Sequence, residues 1–87
     1  MAKINKTYHE KLIRINETLF EEKAALRNLS MALSAARHYL SAYPDDDQRV
    51  MDLYGAMANY NAKKATVENL EREFEKQVMN LWENMED

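Results

Sequence analysis

A chain of 87 residues with 46% hydrophobic and 31% charged side chains suffices for one small domain, residues 1–87, and is too apolar for an acidic or low-complexity disordered segment. It has no cysteine, which excludes disulfides and thiolate metal sites; one glycine and one proline exclude a sheet with several turns, and long helices need neither residue. No run approaches the roughly 20 apolar residues of a membrane span, and Met1 to Lys6 lack the apolar stretch of a signal peptide, so a cytoplasmic protein with no membrane association is expected.

The first element is announced by leucines. Leu12, Leu19, Leu26, Leu33 and Leu40 recur every seven residues, with Tyr8, Ile15, Leu29, Ala36 and Tyr43 at the alternate positions and Glu22 as the one charged interruption. This is the pattern of a helix packed in a coiled coil. Thr7 to Glu10 fit a capping box at its start, and Pro44 ends it by forcing Tyr43 away from helical dihedrals. The spacing predicts a helix over 8–42 and a turn over 43–45.

Asp45, Asp46 and Asp47 then place acids where a new helix dipole favours them. Leu53, Tyr60, Val67, Phe74 and Leu81 recur every seven residues behind them, with Val50, Met57, Leu70, Val78 and Met85 on the other half of the stripe and Lys64 and Glu71 interrupting it. A second helix over 46–85 is predicted. The two stripes face each other in an antiparallel two-helix hairpin, an all-α coiled coil, in which facing residues sum to about 88 when the turn centres on Pro44. That register brings Glu22 near Lys64. Ala32, Ala35 and Ala36 fall opposite Gly55, Ala56 and Ala58, and close packing of the helices is expected there.

The charge of −3 is unevenly spread: residues 1–14 carry +3 and residues 68–87 carry −5. A hairpin sets these ends side by side, so the asymmetry reads as matching within the fold, and nucleic acid is not an expected partner because no coherent positive stripe exists.

Each helix carries more apolar residues than one seam requires. Ile13, Phe20, Met31 and Tyr39 on the first helix, with Met51 and Tyr54 on the second, form additional lines that call for burial against something else. Another copy of the chain is the simplest occupant, giving a homodimer and a four-helix bundle.

No catalytic, metal-ligating or cofactor-binding residues are predicted. His9 and His38 belong at opposite ends of one helix, no Glu-x-x-His pair exists, and a single glycine cannot build a phosphate loop. The expected function is therefore that of a non-enzymatic protein-binding module. A small regulator or inhibitor, of the kind that compact viral genomes encode, would act by occluding or tethering a partner protein. A structural assembly coiled coil is the alternative. A second alternative follows from the tip: a long two-helix hairpin ending in Asp45, Asp46 and Asp47, followed by Tyr54-Gly55-Ala56, resembles in architecture the transcript-cleavage factors that enter the RNA polymerase channel. The resemblance covers that short stretch only, and it implies tip carboxylates that hold a metal ion.

Overall fold

The computed structural model of the chain describes residues 3–85. Two helices of 37 residues each, α1 (Lys6–Ala42) and α2 (Asp47–Glu83), pack side by side as a hairpin. At 1.5 Å per residue each is about 55 Å long, which accounts for the rod-like extents of 67 × 14 × 14 Å.

Capping sets the boundaries. α1 begins two residues before the predicted start because Asn5, not Thr7, is the cap: its Oδ1 accepts from the backbone N–H of Thr7 at 3.0 Å and of Tyr8 at 3.3 Å. Asparagine is among the best N-cap residues, and once it takes the role Thr7 falls inside the first turn while Glu10 is exposed and plays no part in a capping box. Replacing Asn5 by Ala is expected to cost about 1 kcal/mol, against little for Thr7→Ala, as measured by thermal melts of the two variants. At the far end Asn84, not Met85, closes α2, donating both its backbone N–H and its side-chain Nδ2 to the carbonyl of Asn80.

The turn is tight. Tyr43 donates its N–H to Tyr39 O, and Asp46 donates to Tyr43 O. Asp46 then caps α2 by accepting from Gln48 N at 3.0 Å. The Arg49 guanidinium lies 5.0 Å from the Tyr39 ring centre and 5.7 Å from that of Tyr43, so one cation holds the end of α1 against the start of α2.

Along α1 the leucine heptad faces α2 as predicted. Leu19 and Leu33 are buried, and Leu12, Ile15, Leu26, Leu29 and Leu40 are half-buried around them. On α2 the structure corrects half of the stripe. Leu53, Tyr60, Val67, Phe74 and Leu81 face inward and Leu70 lies beside them as predicted, but the other alternate positions are Ala56, Lys63 and Gln77 rather than Met57, Lys64 and Val78. Lys64 and Glu71 are exposed, and Met57 and Val78 keep 38% and 40% of their surface in water.

The ion pairs follow from this one-residue difference. Lys63, not Lys64, meets Glu22, with Nζ 2.6 Å from Oε2. Lys23, the next residue along, meets Glu71 at 3.0 Å. Consecutive residues of opposite charge on α1 thus each find their counterion on α2.

Candidate functional site

Among the described residues, three side chains are buried and twelve large hydrophobic ones are exposed. A hairpin has only one internal seam, so any apolar residue beyond it remains outside. These exposed residues define the candidate site, and the two helices distribute them over two separate regions.

The first region lies near the turn. A surface groove of about 590 Å³ runs between the helices, lined by Leu29, Ala32, Ala36 and Ala56, by Tyr39 and Met51, and by the charged side chains of Arg49 and Asp52. Gly55 lines it, yet a Cβ added at Gly55 would meet nothing within 4 Å. The expected close packing of α1 against this glycine is therefore absent: the small residues at this level leave a groove open to solvent. A glycine in a helix interior costs about 1 kcal/mol relative to alanine, and within this chain nothing offsets that cost.

The second region lies towards the open end of the hairpin, where His9, Leu12, Ile13 and Phe74 line a smaller groove. Phe20, two turns along α1 from Ile13 and so on the same face, is 72% exposed. Trp82 and Met79 belong to this end as well, exposed at 76% and 62%. Neither was singled out by periodicity, since both fall off the α2 stripe. The available signal was compositional: the only tryptophan of the chain stands in an acidic, otherwise solvated stretch, and tryptophan is enriched where proteins meet.

The six residues predicted as one association face are therefore not brought together as one. Tyr39 and Met51 share the groove near the turn, Met31 and Tyr54 are exposed at about the same level, and Ile13 and Phe20 belong to the open end. Tyr39 and Phe20 are nineteen residues apart on one helix, about 28 Å.

The acids of the tip have local roles. Asp46 caps α2, with its Oδ2 3.9 Å from Arg49 Nε, Asp47 occupies the first turn, and Asp45 is exposed. Among the described residues, no three His, Cys, Asp or Glu side chains are grouped so as to hold a metal ion. His9 lines the open-end groove, while His38 meets the edge of Tyr39 at 5.9 Å near the turn. At the open end Lys11 and Arg14 share a groove with Glu73, which places the basic start of the chain beside its acidic end. Glu86 and Asp87, also counted in that acidic end, lie outside the described residues.

Geometry and surface together define an antiparallel α-helical hairpin whose outer faces are rich in exposed Met, Tyr, Phe and Trp. In the described residues no helix is long and apolar enough to cross a membrane. Compared with protein-family models, with curated proteins and with solved structures, the chain matches none.

Proposed function

We propose that this chain is a non-enzymatic protein-binding module, a small regulator or inhibitor that occludes or tethers a partner protein through its helical faces. The supporting observation is that, among the described residues, twelve large apolar side chains are exposed against three buried. Exposed apolar groups scattered singly are ordinary, whereas clusters of aromatic and methionine side chains on a rigid helix are what interface cores are made of. In this reading the groove near the turn and the open-end cluster have separate tasks, pairing of copies into a four-helix bundle at one and contact with a different protein at the other.

The test is affinity capture from cells that make the chain, comparing the native sequence with a Phe20→Ser, Trp82→Ser double variant. One protein other than the chain itself should be retained in stoichiometric amount by the native sequence and lost by the variant, with the circular dichroism spectra unchanged. Retention of nothing but further copies would favour a purely structural assembly. Changing Asp45, Asp46 and Asp47 together to Asn should leave retention intact, because Asn also caps helices. Loss of retention in that variant alone would move the function to the acidic tip.

A further inference from the structure

We infer that the groove near the turn is an isologous dimer interface, centred on Gly55 and occupied by the same groove of a second copy. This deepens the binding-module reading by naming the occupant of one face, and it rests on that reading only for the existence of an apolar contact surface.

The area left in water comes first. A compact monomer of 10.2 kDa is expected to expose about 5,300 Å², and the hairpin exposes 6759 Å². A compact protein of twice the mass exposes about 8,800 Å², so two hairpins folding into one bundle would remove about 4,700 Å² from water. Half of that already exceeds the roughly 1,600 Å² of a standard specific interface.

The choice of a second copy over a foreign protein comes from charge. Residues 28–36 of α1 and 53–62 of α2 contain no Asp, Glu, Lys or Arg, in a chain that is 31% charged. The two segments lie side by side, since Leu29, Ala32 and Ala36 line the same groove as Gly55, Ala56 and Asn59. They form an uncharged belt around the hairpin. A two-fold interface sets each patch against itself, so any net charge on it would face like charge. The belt carries no charge, and Arg49 and Asp52, which line the same groove nearer the turn, have opposite signs, so the patch meets its own copy without net like-charge repulsion. Tyr39 and Met51 supply side chains typical of an interface core.

Gly55 locates the centre. Its missing Cβ faces open space, so it gives no packing advantage inside the chain. In the dimer it lets the backbone of the partner's helix approach α2 closely. The contact stays at the turn end of the hairpin, where Gly55 lies, which leaves Phe20 and Trp82 of each copy outside it.

Analytical ultracentrifugation at micromolar concentration, with circular dichroism in parallel, tests this. The native chain should sediment as a dimer. Gly55→Leu places a helix-favouring side chain at an exposed site, so the hairpin stays folded, while the dissociation constant should rise at least about tenfold, or about 1.4 kcal/mol. Phe20→Glu and Trp82→Glu should leave it unchanged. A native monomer, or a Gly55→Leu variant that dimerises as tightly as the native chain, would overturn the inference. So would a dimer broken by Phe20→Glu but not by Gly55→Leu, which would place the contact at the open end. Loss of partner capture by the Phe20, Trp82 variant with the dimer intact would leave the binding-module reading standing on its own.

Discussion

Leu19→Ala should be among the most damaging single truncations in the chain, and combined with Leu33→Ala it should leave little folded hairpin at room temperature. Leu19 and Leu33 are two of only three buried side chains among the described residues. Truncating a buried leucine costs about 2–5 kcal/mol, through lost transfer energy and the cavity left behind. Stability of about 0.05–0.15 kcal/mol per residue gives a chain of this length roughly 4–13 kcal/mol in all. The two sites are fourteen residues apart along α1, about 21 Å, so their effects should add. Phe20→Ala provides the contrast. Phe20 is larger than its neighbour Leu19 but 72% exposed, and truncating it should change stability by no more than about 0.5 kcal/mol. Urea titrations at one fixed protein concentration, followed by circular dichroism, would separate the two cases; a fixed concentration matters because association adds to apparent stability. A Phe20→Ala cost equal to that of Leu19→Ala would contradict the packing described.

α1 was legible in the sequence because its leucines leave no choice of face: every seventh residue from 12 to 40 is leucine, and the alternate positions are mostly apolar. α2 was legible only in part. From Leu53 to Tyr60 a helix can place either residue 56 or residue 57 beside the seam, since both choices alternate steps of three and four. Hydropathy favours Met57 and Val78 over Ala56 and Gln77, and a reading by apolar content takes that side. The predicted stripe mixes the two sides, taking Leu70 from one and Met57 and Val78 from the other; the structure keeps to the side of Leu70, and Lys63 and Glu71 then reach Glu22 and Lys23. A contact between charges on two helices is a long-range property, invisible to periodicity within one of them. The same limit explains the site. Off-seam apolar residues were visible as a surplus, but their division into a groove near the turn and a cluster at the open end depends on how α2 is rotated. Gly55 shows this most clearly: its place beside the alanines of α1 was legible, and the open space in front of it was not.

The Glu22–Lys63 pair gives the second large effect, and it tests the register directly. Glu22 occupies the alternate seam position between Ile15 and Leu29, and its side chain is 26% exposed, that of Lys63 31%. Glu22 Oε2 itself is buried and accepts no well-aligned hydrogen bond, so the ammonium 2.6 Å away is its compensation. Removing Lys63 strands that oxygen in the seam, and removing Glu22 strands the ammonium. Surface ion pairs couple by about 0.2–1 kcal/mol, whereas breaking a fully buried pair costs about 3–5 kcal/mol. A pair with a quarter to a third of its surface in water belongs between these limits. A double-mutant cycle of Glu22→Leu and Lys63→Leu should therefore give a coupling of about 1 kcal/mol or more, with each single change destabilising. The double change should recover most of the loss or exceed the native stability, since leucines at a seam replace ions that were costly to desolvate. The parallel cycle with Lys64→Leu should fall within the additivity error of about 0.3–0.5 kcal/mol, because Lys64 is exposed and has no contact with Glu22. A larger coupling to Lys64 than to Lys63 would rotate α2 by one residue, return Met57 and Val78 to the seam, and remove Gly55 from the groove to which the dimer has been assigned.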